Sequence, residues 1–224
     1  MKIAIQVPIK AKASERVPNK NFTSLRGQPL CYWLLQELSD INDESLHTYV
    51  DSEEREVYEK VEQDFSDLRF HQRPKWFAED HANGNHLIHQ FALAYPEYDA
   101  YAQIFVTAVG LKRQIIEEAI QHFRKNISTH DSLFLATEET GWIWKDGASL
   151  NYDSTKPHGL PRSQDACFYK ETTGLYIVHK DAVLKTGCRI GEKPYIFPVD
   201  KKTGLDVDTV EDLNIAELLL RDEE

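Results

Sequence analysis

Two short segments near opposite ends of the chain carry residues suited to phosphate chemistry. Arg16-Val-Pro-Asn-Lys20-Asn21 places fixed cations in a polar stretch that follows an apolar run. Asp206-Val-Asp208-Thr209 places two carboxylates two residues apart, so an extended backbone would turn both to the same side. Cations bind phosphate oxygens, and carboxylates are ligands for Mg²⁺. Together the segments predict a site that binds a nucleoside triphosphate with a divalent metal and transfers a nucleotidyl group.

Charge and composition restrict the classes of partner. The chain has 224 residues, 41% of them hydrophobic and 28% charged, with a formal net charge of -11. This composition is ordinary for a globular protein and excludes wholesale disorder. The acidic balance argues against a protein that binds nucleic acid or a membrane surface, since both functions need a basic face. An anionic small substrate would need local counter-charges, which the segment around Lys20 supplies.

The cysteines and the N-terminus indicate the compartment. Cys31, Cys167 and Cys188 form no CxxC pair and have no metal-ligand spacing. The apolar run at residues 3–9 is interrupted by Gln6 and Pro8, so it predicts neither a signal peptide nor a membrane span. We therefore expect a reduced, cytoplasmic environment.

Hydrophobic periodicity favours an α/β fold. Apolar runs predict strands at residues 3–7, 46–50, 101–107 and 174–178. Helical spacing predicts helices over residues 29–38, 85–95 and 111–123, a helix capped by Asp51 or Ser52 with Val57, Tyr58 and Val61 facing inward, and a final helix from Thr209. This alternation predicts an open, mainly parallel nucleotide-binding sheet with helices on both faces, whose ligands bind beyond the carboxyl ends of the strands.

A hairpin interrupts this rhythm. The run at residues 142–150 has a central Asp146-Gly147, which is a strong hairpin signal. Trp142 and Trp144 would share one face of it, buried either in the core or against a second subunit. We interpret residues 1–224 as a single domain with a small hairpin excursion around residues 140–170.

Five segments, in the same order along the chain, are similar to motifs of the acylneuraminate cytidylyltransferase family and its Kdo-activating relatives. They are the N-terminal strand with the basic segment (the nucleotide-binding signature), Arg73-Pro74 with Ala82 (the cytosine-binding loop), Val106-Thr107 (a nucleotide-cradling segment), residues 161–176 (the sugar-acid segment) and residues 204–213 (the metal-binding signature). No single motif is very specific, but five in the correct order are.

The resemblance implies an enzyme that transfers CMP from CTP to the anomeric hydroxyl of a free sugar acid and releases pyrophosphate. The implied substrate is a nonulosonic acid such as a sialic, legionaminic or pseudaminic acid, with an eight-carbon acid of the Kdo type as the alternative. The implied cofactor is Mg²⁺, and the implied assembly is a homodimer whose excursion reaches the other subunit.

The resemblance also assigns roles to individual residues. It gives catalytic roles to Lys20, Arg16 and Asp208, and metal binding to Asp206 and Asp208. The implied nucleotide-binding residues are Lys10, Lys12, Arg16, Asn21, Arg73, Ala82 and Thr107. The implied sugar-binding residues are Asn83, Asn85, Arg162, Gln164 and Lys170, of which Arg162 or Lys170 would pair with the sugar carboxylate or close over phosphate, in the same subunit or in its partner.

The chain departs from the family pattern at the phosphate-binding segment. Residues 8–15 lack the family's glycines, Lys10 or Lys12 stands in for its arginine, and Glu15 and Phe105 replace a usual lysine and glutamine. These departures favour a second hypothesis, a degenerate relative that binds nucleotide or sugar without turnover. A third hypothesis is a nucleotidyltransferase that acts on sugar 1-phosphates.

Overall fold

One large sheet organises the protein. The computed structural model describes residues 1–11 and 19–223. The strands in this part of the chain are β1 (Ile3–Pro8), β2 (Ser24–Leu25), β3 (Gln28–Pro29), β4 (Leu46–Ser52), β5 (Arg69–Gln72), β6 (Ala100–Ile104), β7 (Ser132–Thr140), β8 (Trp144–Lys145), β9 (Ala148–Ser149), β10 (Cys167–His179) and β11 (Pro194–Val199). Seven of them form a sheet in the order β11-β7-β10-β6-β1-β4-β5. Each neighbouring pair in this sheet is parallel except the two that contain β10. The sheet is therefore open and mainly parallel, which confirms the predicted fold class.

Helices cover both faces of this sheet. They are α1 (Leu30–Ser39), α2 (Arg55–Glu59), α3 (Gly84–Ala94), α4 (Arg113–Asn126), α5 (Lys180–Thr186) and α6 (Val210–Leu219). Ile3 and Ile5 of β1 pack in the core cluster that α1 and α4 contribute to, whereas Ala4 packs in the cluster formed with α3 and α5. A strand buried on both faces needs a continuous apolar run, which explains the sequence of β1. Among the helices of the described residues, none has the length and apolarity needed to cross a membrane.

The element predictions were confirmed for the long, periodic segments. One was wrong: Asp51 and Ser52 do not cap a helix, because β4 extends through Ser52 and α2 begins only at Arg55 after Glu54. Both side chains are buried instead. The sequence did not predict β5, β7, β11 or α5.

The segment between β7 and β10 carries the predicted hairpin. Strands β8 and β9 pair around Asp146 and Gly147, whose φ angles of 51° and 81° match the turn that an Asp-Gly pair favours. Trp142 and Trp144 are exposed in this chain rather than buried in its core. Of the two alternatives for these tryptophans, the structure of the single chain thus excludes the core.

Candidate active site

A cleft of about 530 Å³ opens at the carboxyl edge of the parallel strands. Its walls include the segments that follow β1, β5 and β6, together with the segment that precedes α6. This is the edge at which open α/β sheets bind ligands. Eight of the residues predicted to act in catalysis or binding line it: Lys10, Lys20, Asn21, Arg73, Ala82, Thr107, Asp206 and Asp208.

The two ends of the chain meet inside this cleft. The Lys20 ammonium donates a hydrogen bond to Asp208 Oδ1 across 2.8 Å. Lys20 opens a short 3₁₀ turn, and the neighbouring Asn21 side chain donates to the carbonyl of Lys10 at 3.1 Å, which ties that turn to the end of the first strand. The cation and carboxylate predicted from opposite ends of the sequence therefore share one site.

The carboxylate segment is anchored at its centre. Val207 is fully buried, and its N–H donates to the carbonyl of Thr107 at 3.0 Å, so the alternation of the backbone leaves Asp206 and Asp208 on the cleft side. The chain just before this segment is also closely packed, because a Cβ added at Gly110 would collide with the carbonyl oxygen of Lys202.

Helix α6 begins directly after this segment. The Thr209 hydroxyl accepts from the N–H of Asp212, and the Asp212 carboxylate accepts from the N–H groups of Asp208 and Thr209. Burial raises the pKa of Asp212, but the hydrogen bonds from Thr209 and Asp208 outweigh it, so the pKa is lowered overall. Asp212 is thereby committed to the helix cap, and it fixes the backbone at Asp208.

One oxygen in the cleft lacks a partner. Asp206 Oδ1 is buried and accepts no hydrogen bond within the described residues. Such an atom is costly unless a cation or donor joins it, so it fits a metal ligand. No group of three or more His, Cys, Asp or Glu side chains in residues 1–11 and 19–223 could hold a metal alone. Two carboxylates completed by water and substrate oxygens are the usual donor set for Mg²⁺, so the residues present fit that ion.

Arg73 lies at the floor of the cleft between two buried carboxylates. Its guanidinium contacts Asp51 at 3.5 Å and Glu53 at 2.9 Å, and all three side chains are buried. Glu53 also accepts the N–H of Ala11 at 2.8 Å, which connects Arg73 to the segment after β1. Burial raises the pKa of Asp51 against the opposing attraction of Arg73. Arg73 is therefore a rigidly held element rather than only a turn residue before Pro74.

Two buried glutamines extend this network under the cleft. Gln6 donates from its amide to Asp51, and Gln103 donates to Gln6 at 2.9 Å and to the carbonyl of Gly84 at 3.0 Å. Gln6 and Gln103 are direct neighbours on the paired strands β1 and β6. Sequence reasoning did not predict this hydrogen-bonded network. The signal that could have indicated it is a glutamine inside each of two apolar strand runs.

Comparison with known proteins decides the family. The cytidylyltransferase family model matches residues 12–208, most of the chain. The chain belongs to the cytidylyltransferase family. It is a nucleotidyltransferase, and the predicted family is confirmed. Two curated relatives are the pseudaminic acid cytidylyltransferases of Campylobacter jejuni subsp. jejuni, serotypes O:2 and O:23/36. Each is 25% identical over 221 residues, covering 93% of this chain and 92% of the relative.

Solved structures support the same fold for this cytidylyltransferase. A CMP:2-keto-3-deoxy-manno-octonic acid synthetase complexed with CTP matches with a TM-score of 0.69 and 15% identity over 100% of both chains. The 4-diphosphocytidyl-2C-methyl-D-erythritol synthase of Anaerococcus prevotii matches with a TM-score of 0.70 and 10% identity, covering 98% of this chain and 96% of that one. At these identities the likeness concerns the fold alone.

The residues predicted to bind sugar are not among those that line the cleft of this cytidylyltransferase. The Asn83 side chain caps α3, and the Asn85 side chain accepts the N–H of Arg189 at 3.0 Å. Arg162 is exposed and bonds Asp165 through two nitrogens, at 2.7 and 3.0 Å. Gln164 and Lys170 also lie outside the cleft lining, in the segment between β7 and β10 and in β10 itself. Within one chain these five roles stay predictions.

Two predicted residues cannot be placed. Lys12 and Arg16, together with Glu15, lie outside the described residues. Their assigned contacts with the triphosphate therefore stay predictions.

The cleft also contains a cation that the sequence did not predict. Arg189 follows α5, and its guanidinium carbon lies 3.8 Å from the centre of the Tyr176 ring. No motif in the sequence singled out this arginine, because its position depends on contacts made by residues distant along the chain.

Proposed function

We propose that this cytidylyltransferase transfers CMP from CTP to the anomeric hydroxyl of a free nonulosonic acid. The observation that carries the proposal is the meeting of Lys20 with Asp208 in a cleft that also contains Asp206, at the ligand-binding edge of the sheet. The pseudaminic acid relatives cover nearly the whole chain and support the substrate class.

The chemistry asks for charge stabilisation more than for covalent catalysis. The anomeric hydroxyl oxygen attacks the α-phosphorus, the bond from that phosphorus to the β-phosphate oxygen breaks, and pyrophosphate leaves while the hydroxyl proton is released. Negative charge develops on phosphoryl and leaving oxygens, so preorganised cations lower the barrier. Lys20 and Lys10 line the cleft and would supply this charge. Asn21 would help to orient the triphosphate from the same segment, with Lys12 and Arg16 proposed as further contacts.

Asp206 and Asp208 would hold the metal. A divalent metal is general in this family, and we propose Mg²⁺. When bound, it would neutralise charge on the triphosphate and improve pyrophosphate as a leaving group.

The cytosine base would bind near the floor of the cleft. Arg73 lines it with a guanidinium fixed by Asp51 and Glu53, and Ala82 and Thr107 line it nearby. A buried arginine whose geometry is already fixed loses little entropy when it binds a base carbonyl. We propose that Arg73, Ala82 and Thr107 select cytosine.

The assembly would be a homodimer in the cytoplasm, where CTP is available. Large apolar side chains are exposed in the segment around the hairpin, namely Trp142, Trp144, Leu150, Leu160 and Tyr169. Aromatic side chains clustered on a surface are typical of protein interfaces. Light scattering after gel filtration tests the oligomeric state; in the dimer, Arg162 or Lys170 would contribute to the partner's site.

Pyrophosphate release tests the proposed reaction. The purified protein is incubated with CTP, Mg²⁺ and, in turn, pseudaminic acid, legionaminic acid, N-acetylneuraminic acid and Kdo. Release with one of the three nonulosonic acids supports the proposal, whereas release with Kdo alone supports the eight-carbon alternative. Release only with a sugar 1-phosphate contradicts direct activation of a free acid. CTP binding without release across the whole panel identifies a degenerate relative.

A further inference from the structure

Arg189 lies in the wall of the cleft, where neighbouring side chains hold its guanidinium in place. Its guanidinium stacks on Tyr176 at 3.8 Å, and Nη2 donates to Glu171 at 3.3 Å. Tyr176 is fully buried, and its hydroxyl donates to Glu171 and lies 2.9 Å from the carbonyl oxygen of Thr172. Burial, reinforced by the hydrogen bond to Glu171, raises the pKa of Tyr176, so the ring is a neutral platform at every physiological pH. Stacking on such a ring holds a guanidinium plane in one orientation.

The main chain and a glycine complete this placement. The Asn85 side chain accepts the N–H of Arg189, so the start of α3 holds the segment that carries the arginine. A Cβ added at Gly84 would lie 2.5 Å from Arg189 Nη1, so the missing side chain at Gly84 leaves the space that the guanidinium occupies. Three separate elements, α3, β10 and the segment after α5, thus converge on one side chain.

Most of the hydrogen-bonding capacity of Arg189 is unused. In the part of the chain that the structure describes, its side chain makes one hydrogen bond, to Glu171. A guanidinium has five N–H donors in a planar fork that matches a carboxylate in two parallel hydrogen bonds. The side chain is 21% exposed and lines the cleft, so a ligand can reach those donors.

Two of the arginines predicted to bind nucleotide or sugar, Arg73 and Arg162, are committed elsewhere. Arg73 is buried between Asp51 and Glu53. Arg162 is 73% exposed, already forms a two-nitrogen bond with Asp165, and does not line the cleft of its own chain. Of the arginines within the described residues, Arg73 and Arg189 line the cleft, and the second has donors to spare.

The position of Arg189 favours a sugar carboxylate over a phosphate. The cations proposed for the triphosphate, Lys10 and Lys20, follow β1. Arg189 instead lies against Tyr176 of β10 and near the ring of Phe105, which follows β6, the next strand of the sheet. Asp206 lines the same cleft as Arg189, so the proposed metal site and this wall face one cavity. An acceptor that reacts at the α-phosphorus would occupy this side of the cleft.

We infer that Arg189 binds the carboxylate of the sugar acid, with Tyr176 and Glu171 as its positioning residues. The inference rests on the proposed function for the identity of the anion. It assigns the acid group to a residue of the same chain, in place of Arg162 or Lys170, and leaves those two residues for other contacts with the substrates.

Kinetics with paired substrates test this role. The variants are Arg189→Gln, Arg189→Lys and the control Arg55→Gln, an exposed arginine paired with Glu59 outside the cleft. Each is assayed with pseudaminic acid and with its C1 carboxamide, which lacks the charge, while CTP affinity is measured by calorimetry. We expect Arg189→Gln to lower kcat/KM for the acid roughly 10- to 100-fold, the scale of a lost charge-assisted contact. Its preference for acid over amide should collapse, with CTP affinity unchanged. Arg189→Lys should lose less, and Arg55→Gln should match the wild type.

Three outcomes would overturn the inference. The first is an unchanged acid-to-amide preference in Arg189→Gln and Arg189→Lys. The second is a loss of CTP affinity in place of sugar discrimination, which would assign Arg189 to the triphosphate. The third comes from calorimetric titration of pseudaminic acid in the presence of CMP, if wild type and Arg189→Gln bind the acid equally. A wild type that binds the acid through Arg189 but releases no pyrophosphate contradicts the proposed function and leaves this inference standing.

Discussion

Replacing Lys20 with alanine separates catalysis from folding. Lys20 contacts Asp208 at 2.8 Å, but the Asp208 side chain is 45% exposed, so solvent screens the pair. Exposed ion pairs contribute about 1 kcal/mol or less to stability. In the reaction the same ammonium would face phosphoryl charge with its geometry already fixed. Removal of one preorganised charge contact costs roughly 2–4 kcal/mol of transition-state stabilisation. We therefore expect Lys20→Ala to lose about 30- to 1,000-fold in kcat while unfolding near the wild-type urea concentration.

The assay is continuous pyrophosphate release at saturating CTP, with urea unfolding measured on the same preparations. Lys185→Ala is the matched control, because Lys185 pairs with Glu192 at 2.7 Å on the surface outside the cleft. Asp208→Asn should lower turnover by a similar factor, and the double variant should lose less than the product of the two factors, since both residues serve one assembly. Wild-type kcat in either single variant would refute this reasoning. A rise in KM alone in Lys20→Ala would make Lys20 a ground-state binder.

Two further predictions concern packing and pH. Gly110→Ala should lower the free energy of unfolding by roughly 1–3 kcal/mol and also lower activity, because the new methyl group collides with the Lys202 carbonyl beside the metal segment. Unchanged unfolding and activity would contradict this close packing. Hydrogen bonds from Ser45, then from Arg124, lower the pKa of Asp43 to about 2, so this stabilisation is present above about pH 4 and is lost as the pH falls toward 2. Asp43→Asn should therefore cost about 1–2 kcal/mol in urea unfolding at pH 7 and clearly less at pH 3, whereas an equal cost at both pH values would exclude the linkage.

Local sequence signals predicted the elements whose structure is decided locally. Helix α6 has both its cap residues and its inward positions in one short stretch, and β1 has the continuous apolar run of a strand covered on both faces. Strand β5 could not be found this way, since Arg69-Phe-His-Gln72 has no apolar run and becomes a strand because β4 offers an edge to pair with. The start of α2 was placed too early because polar residues at 51 and 52 resemble caps, although both are buried at the end of β4.

The residues of the site likewise fall into those that local motifs predicted and those that depend on long-range contacts. Lys20 and Asp208 were found because short motifs carry them, and the sheet topology then brings the two motifs together. Arg189 was missed because its role depends on stacking against Tyr176 and on a hydrogen bond to Asn85, over 100 residues away in sequence. Long-range contacts of this kind leave no local pattern, so composition and periodicity cannot report them.

A protein with a negative net charge can bind anionic substrates if the cations of its site are positioned by carboxylates and can still contact the substrate. Each of four cations in the cleft has a carboxylate partner: Lys10 with Asp80, Lys20 with Asp208, Arg189 with Glu171, and Arg73 with Asp51 and Glu53. The partners differ in access to water. Asp80, Asp208 and Glu171 have exposed side chains that water or a metal can reach, whereas Asp51 and Glu53 are buried and would become costly unpaired charges without Arg73. Lys10 and Lys20 can therefore exchange an internal carboxylate for a substrate phosphate, Arg189 offers its unused donors while Glu171 holds it, and Arg73 must act through a fixed geometry. The same division follows from the chemistry, because the charged triphosphate is bound by cations that can leave their internal partners, whereas the neutral base is recognised by a guanidinium that does not move.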